Sequence, residues 1–348
     1  MSDSENLPYP KRHVTQADVA RLAGVSRSVV SYVINEGPRS VSGETRRRVL
    51  QAIETLSYRP NKHAQMLIHE KWDTVAHKQL GVVISELNMF QRPFYGAILA
   101  GLHEEAQARG WHVRFVRVFE VFKSPVLFNQ LVHRQEVAGL VLLALDQVVH
   151  GPAEQALLER MIARINNVVC LEWQHPGLPS VNFDRQQTAF GATQHLLALG
   201  HHKIAYIGFS DERVAGYRAA LLEVGGTPRP YAAHDARSGL AQLELLLHEH
   251  PHITGVVAGS DEIAFGILRG LHLKRRRVPD EVALVSIDNI ALAEFVTPAL
   301  TTVAVPQAEL GQHAIKMLVQ RESVSMTMGT DLRLPTKLII RESCGATR

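Results

Sequence analysis

Between Leu80 and Asp288 short apolar runs recur along the chain: "LGVVIS" (80–85), "HVRFVRV" (112–118), "AGLVLLAL" (138–145), "NVVCLE" (167–172), "KIAYIGF" (203–209), "TGVVAGS" (254–260) and "EVALVSID" (281–288). Their length and β-branched content predict strands. Stretches with apolar residues at helical spacing lie between them, at 95–109, 185–199, 212–224, 261–273 and 306–321. Strands alternating with helices predict an α/β fold, with parallel sheets covered by helices on both faces. The run is longer than one such sheet needs, so two α/β lobes are expected, with a ligand cleft at the carboxyl ends of the strands.

The N-terminal part has a different period. Thr15 can cap a helix reaching about Ala23, with Asp18 as its capping-box partner and Val19, Ala20 and Leu22 inward, and Gly24 ends it. Ser26 caps a second helix, "SRSVVSYVIN", in which Val29, Val30, Val33 and Ile34 form the apolar side. A third starts after Ser42 or Gly43 and runs to about Leu56, with Val49, Ile53 and Leu56 in helical register. Only Gly24 and Val25 separate the first two, which is the length and composition of a helix-turn-helix corner. After "SYRPN", a stretch with few apolar residues predicts a linker with a marginal helix from Asn61 to about Ile68.

Charge adds to this division. Residues 1–78 hold 12 Lys and Arg against 8 Asp and Glu, leaving 25 against 26 for the remainder of the 37 and 34 in the chain. A basic head on a nearly neutral body points to a polyanionic partner for the head. On this reading the exposed side of the second helix enters a DNA major groove, where Arg27, Ser28, Ser31 and Tyr32 meet base edges and phosphates. Spacing alone leaves an ordinary amphipathic surface helix equally open. The 46% apolar content suits a globular protein, and Cys170 and Cys344 form neither a disulfide framework nor a metal-ligand spacing. The first residues carry no apolar secretory core and read as a disordered leader over 1–11; no later run approaches a membrane span, so a cytoplasmic protein without membrane partners is expected.

The stretch from Val14 to Leu67 resembles the DNA-binding headpiece of the lactose/galactose repressor family. The shared pattern is V-T-x-x-D-V-A-x-x-A-G-V-S-x-x-x-V-S-x-x-x-N, followed by V-S-x-x-T-R and Y-x-P-N-x-x-A. The resemblance implies a headpiece over 12–59 and a hinge helix and linker over 60–78. It implies that Arg27, Ser28 and Tyr32 read bases, while Thr15, Ser26, Ser31, Asn35, Ser42, Thr45, Tyr58 and Asn61 contact or orient toward the DNA backbone. Leu67 would wedge into the central minor-groove step with Ala64 packing beside it, the cost of unstacking being offset by contacts to the bent duplex. Tyr32 departs from the arginine common in the family, and tyrosine cannot make a bidentate contact to guanine, so a different operator half-site is expected. "EGPRSVS" (36–42) is one residue longer than in the shortest members.

Residues 79–341 resemble the family's periplasmic-binding-protein-like core through "VNFDRQQTAFGATQHLLALGHHKIAYIGF", "RVAGYRAAL", "SDEIAFGILRGL", "RVPDEVALVSIDN" and "TPALTTVAVPQAELGQHAIKML". The lobes would be roughly 79–173 with 305–325 and 174–304 with 326–341, within a core of 79–348. The resemblance implies a small-molecule effector, a sugar or derivative, held by Arg213 and Asp288, whose planar groups suit polyols. Ser260 stands where asparagine is frequent, and Glu172, Phe94 and Trp173 are further candidates, the aromatics being equally compatible with core packing. The segments between Phe209 and Arg213 and over 225–239 are shorter than in the family, which implies a smaller or different effector.

No G-x-S-x-G elbow, H-E-x-x-H or phosphate loop occurs, so neither an enzyme nor a cofactor is expected. The alternating His248, His250 and His252 are interrupted by Pro251 and lack companion ligands, and "KRRR" (274–277) follows a helix end, where cations complement the dipole. The expectation is a regulator, a repressor, that binds a palindromic operator in double-stranded DNA as a homodimer, with affinity set by the effector. The alternative is a sugar-binding receptor without a regulatory role. "RESCGATR" at the end holds no leucine heptads, so a coiled-coil tetramer is not expected.

Overall fold

The computed structural model describes residues 14–35, 41–58, 78–323 and 330–346. The expected leader over 1–11 lies outside them, as does nearly all of the expected hinge segment.

Three short helices open the described chain: α1 (Gln16–Ala23), α2 (Arg27–Asn35) and α3 (Gly43–Thr55). The α1 cap is reciprocal: the Asp18 N–H donates to Thr15 Oγ1 and the Thr15 N–H donates to Asp18 Oδ2. Gly24 closes α1 in the left-handed region at φ 64°, where a side chain would be strained, and its N–H reaches the carbonyls of Ala20 and Arg21. Val19, Ala20, Ala23, Val30, Val33, Val49, Ala52, Ile53 and Tyr58 pack into one small core, with Val29, Ile34 and Leu56 partly buried around it. Leu22, expected inward, is 53% exposed; Ala23 takes the inward place because it lies one turn from Val19 and Ala20.

The rest of the chain alternates strands β1 (Gln79–Ile84), β2 (His112–Val118), β3 (Gly139–Leu143), β4 (Val168–Leu171), β5 (Ser180–Phe183), β6 (Ile204–Gly208), β7 (Pro230–Ala232), β8 (Gly255–Ala258), β9 (Ala283–Asp288), β10 (Thr301–Ala304), β11 (Asp331–Leu334) and β12 (Lys337–Ile339) with helices. These are α4 (Pro93–Ala108), α5 (Pro125–Leu131), α6 (Pro152–Arg164), α7 (Arg185–Ala198), α8 (Glu212–Leu222), α9 (Ala236–Glu249), α10 (Asp261–Leu273) and α11 (Gln307–Ser323). Hydrogen bonding orders them into two six-stranded sheets, β11-β5-β4-β3-β1-β2 and β12-β10-β9-β8-β6-β7. The pairs β1 with β2 and β3, and β8 with β6 and β9, are parallel, whereas β10 and β12 are antiparallel. Strands β3, β4, β8 and β9 are buried at every position, the mark of parallel strands covered on both faces.

Strands β5, β7, β10, β11 and β12, and helices α5, α6 and α9, were not among the elements expected from the apolar runs. Strand β7 is three residues long with a half-buried centre, and β10 ("TTVA") is half threonine. Neither carries a run that hydropathy could single out.

Contacts group the chain into two units, one of residues up to 87, 106–169 and 318–325, the other of 88–105, 170–317 and 326 onward. In the first, the headpiece packs on α5 and α6. Val126 joins its core, and the buried Asn129 amide donates to the carbonyls of Ile53 and Tyr58 while its oxygen accepts from Arg164 Nη1 at 2.7 Å. Arg160 pairs with Glu54 at 2.7 Å. In the second, α7 and α8 approach so closely that a Cβ on Gly216 would collide with the Gln186 carbonyl.

Candidate nucleic-acid interface and effector site

Ser26, which precedes α2, and Arg27 and Ser28 in its first turn are exposed, and the helical period that buries Val30 and Val33 places Ser28 on the opposite side. Ser26 Oγ accepts from the Val29 N–H, and Arg27 Nε donates to Gln16 Oε1 at 3.4 Å, which holds the guanidinium at the corner between α1 and α2. Ser31 and Tyr32 follow one turn on, half-buried, and Asn35 closes the helix. Ser42 caps α3: its Oγ accepts from the Thr45 N–H and donates to Thr45 Oγ1 at 2.9 Å. Exposed Thr15 does the same service for α1. Tyr58 is 3% exposed and belongs to the headpiece core. Asn61, Ala64 and Leu67 lie outside the described residues.

The other candidates gather in the second unit. Arg213, one residue into α8, is buried; its Nη1 donates to the Gly259 carbonyl at 2.5 Å and its Nη2 pairs with Asp211 at 3.1 Å, while its Nε is buried with no hydrogen-bond partner. Burial opposes the charge on Arg213, but its acidic neighbours, Asp211 first and then Tyr206, Asp288 and Glu172, outweigh it and raise its pKa. Asp211 is also the N-cap of α8, its Oδ1 accepting from the Arg213 N–H. Asp288 ends β9 at φ 120° and is followed by Asn289 at φ 58°, two non-glycine residues in the left-handed region. Burial, and then the nearby Asp261 carboxylate, push the Asp288 carboxyl well above the usual range.

Ser260 lies buried as the N-cap of α10, its Oγ accepting from the Ile263 N–H. Glu172, at φ 65°, accepts the Arg185 guanidinium on both its carbonyl and its carboxylate, at 2.7 and 3.0 Å. Phe94 and Trp173 are each 6% exposed, Phe94 edge-on to Tyr95 and Trp173 edge-on to His175.

A profile of bacterial regulatory proteins of the lacI family matches residues 15–61, and one of periplasmic-binding-protein-like domains matches residues 193–344. The transcriptional regulator CelR of Thermobifida fusca is 35% identical over 96% of this chain and 99% of its own length. Catabolite control protein A of Priestia megaterium is 30% identical over 95% and 99%. The chain belongs to the LacI family of bacterial transcriptional regulators. Among solved structures, a CelR–cellobiose complex superposes on this LacI-family chain with a TM-score of 0.67 at 30% identity, covering 95% of this chain and all of the other. The lac repressor dimer bound to operator and the anti-inducer ONPF gives a TM-score of 0.67 at 26% identity, covering 96% and 99%. The headpiece is therefore a DNA-binding module and the body a periplasmic-binding-protein-like core of parallel sheets.

The structure of this LacI-family member also assembles side chains that the sequence reading passed over. Two guanidiniums lie near the Phe209 ring, with the Arg213 Cζ 4.8 Å and the Arg92 Cζ 5.5 Å from its centre. Arg92 Nε meets Glu262 Oε2 at 2.7 Å. Asp261, beside Glu262, is fully buried; its Oδ1 accepts from Ser286 Oγ and Thr302 Oγ1 and its Oδ2 from the Ile290 N–H. Desolvation lifts its carboxyl to about 6 against those three donors. "SDEIA" was visible as a motif, yet nothing in a linear sequence marks Glu262 as the partner of an arginine 170 positions earlier. No helix among the described residues is long and apolar enough to cross a membrane.

Proposed function

We propose that this regulator is a repressor that binds a palindromic operator as a homodimer and changes its affinity for that operator when a sugar occupies the site around Arg213 and Asp288. The DNA contacts come from Arg27, Ser28 and Tyr32 to bases and from Thr15, Ser26, Ser31, Asn35, Ser42, Thr45 and Asn61 to the backbone, with Ala64 and Leu67 at the minor groove. Two copies on two half-sites supply the affinity that one small headpiece lacks.

One observation supports the DNA reading most directly. The polar side chains Ser26, Arg27 and Ser28 stand exposed at the N-terminal end of α2, while Val30 and Val33, at 0% and 3% exposure, anchor the helix to the headpiece core. That pairing of an anchored side and an exposed polar end is what a groove-reading helix requires. For the effector, the unpartnered Nε of buried Arg213 offers one charge-assisted donor, and Asp288 offers hydrogen-bonding capacity to hydroxyls. The core is conceived as two lobes, 79–173 with 305–325 and 174–304 with 326–341.

The test is binding of the full chain to duplexes it selects from a random library, read by fluorescence anisotropy across salt concentrations. Log affinity should fall with log salt by about 0.9 per phosphate contact, and Arg27→Ala should blur base preference within the half-site. Failure to select any sequence, or a flat salt response, refutes the reading. A panel of neutral mono- and disaccharides should then shift operator affinity, and Arg213→Ala should abolish that shift.

A further inference from the structure

The charges around Arg213 balance in a way that restricts what can bind there. Three arginines converge on this region, and each already holds a carboxylate: Arg92 with Glu262 at 2.7 Å, Arg185 with Glu172 at 3.0 Å and Arg213 with Asp211 at 3.1 Å. Two further buried acids, Asp261 and Asp288, have no Lys or Arg at ion-pair distance among the described residues. None of these three is left over to receive an anionic group, and a fourth arginine nearby, Arg341, donates to the Asn289 side-chain oxygen and the Leu300 carbonyl. A phosphate or carboxylate on a ligand is best held by an unpaired guanidinium or ammonium, and here each of the three guanidiniums is already engaged by a carboxylate.

Glu262 is the residue on which this balance turns. Asp211 also caps α8 and Glu172 also gives its backbone carbonyl to Arg185, so both are tied to the frame. Glu262, in contrast, makes its one hydrogen bond with Arg92. Arg92 lies against the rings of Tyr95 and Phe209, at 5.2 and 5.5 Å, and Arg213 lies 4.8 Å from the centre of the same Phe209 ring. Removing the Glu262 charge would therefore leave a guanidinium already positioned at Phe209, the ring that Arg213 also approaches, and free to take an anion. The side chains of Arg92 and Glu262 are only 19% and 24% exposed, so solvent does not screen the pair away.

We infer that Glu262, by neutralising Arg92, makes this effector site selective for uncharged polyols and excludes phosphorylated sugars and sugar acids. This rests on the sugar-effector reading above and names the ligand class within it. It assigns to Arg92 and Glu262 a role in specificity.

Calorimetric titration of the full chain with paired probes tests it, each neutral sugar against its own phosphate ester, for example ribose with ribose 5-phosphate and cellobiose with cellobiose 6-phosphate. For the wild type, the ester of any sugar that binds should be at least ten-fold weaker than the parent, about 1.4 kcal/mol. In Glu262→Gln the ratio should close or invert, and the Arg92→Gln, Glu262→Gln double variant should restore the rejection, because the freed cation is gone. Circular dichroism of each variant checks that it folds; a misfolded Glu262→Gln is replaced by Glu262→Ala, with the same ratio expected. A wild type that binds an ester as well as its parent overturns the inference, as does an unchanged ratio in a folded Glu262 variant. If no neutral sugar of the panel binds, or if binding survives Arg213→Ala undiminished, the effector reading itself falls and takes the inference with it.

Discussion

Asp261→Asn probes the buried acid beside the proposed effector site. In the folded chain Asp261 has no exposed surface, and its carboxyl is lifted from 3.8 to about 6, with burial as the largest cause and the donors from Ser286, Thr302 and Ile290 opposing it. A raised acid pKa means that the folded state holds its proton longer than the unfolded chain does. Below about pH 4 both states are protonated and the contribution is fully present; as pH rises through about 6 the folded carboxyl must ionise in a dry site and stability is lost. The interval between 3.8 and about 6 corresponds to about 3 kcal/mol. In Asp261→Asn nothing ionises at this position, while the amide oxygen can still accept from Ser286 and Thr302. Its NH2 then faces the Ile290 N–H, which removes one hydrogen bond worth about 1 kcal/mol or more at every pH. Asp288, released from a neighbouring negative charge, shifts the comparison in the same direction. Urea denaturation of both chains from pH 4 to pH 7 should therefore show the stability of the wild type relative to the variant falling by about 3 kcal/mol with rising pH. A difference that stays constant within about 0.5 kcal/mol would refute the reasoning, since groups titrating alike in both chains cancel.

Other outcomes follow from single contacts. Asn129→Ala removes the amide that donates to the Ile53 and Tyr58 carbonyls and the oxygen that accepts from Arg164 Nη1, and should weaken headpiece docking by about 1–3 kcal/mol, read as faster hydrogen exchange in α3. Gly216→Ala sets a methyl against the Gln186 carbonyl where α7 meets α8, and should lower the urea midpoint through a loss of about 1–3 kcal/mol. Tyr32→Arg introduces a fork able to grip guanine O6 and N7, and should shift the preferred half-site toward guanine at one position by about 1–3 kcal/mol in a selection experiment. Val30→Ser puts a hydroxyl at a fully buried position and should melt the headpiece well before the core, seen as two calorimetric transitions where the wild type keeps them closer.

The headpiece was almost wholly legible from its sequence. Its helices are short and capped by Thr15, Ser26 and Ser42, and the corner at Gly24 demands the left-handed backbone that glycine supplies; these are local requirements. The buried parallel strands were legible for a related reason, since strands covered on both faces must be apolar throughout. The edge strands β7 and β12 were not, because a three-residue strand with exposed positions leaves no run to detect. Arg213 and Asp288 stood out through their motifs, whereas the contacts that join Arg92, Phe209, Glu262 and Asp261 to that neighbourhood appear only in three dimensions.

What the sequence determined by itself, then, was everything that depends on neighbours along the chain: caps, corners, periodicity, the alternation of strands with helices, and a family pattern dense enough to identify a DNA-binding regulator. The tertiary structure alone decided which charges meet. Arg92 and Glu262 stand 170 residues apart, and their 2.7 Å contact exists because the segment before α4 and the N-terminus of α10 are brought to the same place by sheets whose neighbours are not consecutive in sequence. Ion pairs across such distances leave no period and no composition bias, so the balance of charge at the effector site is a property of the fold.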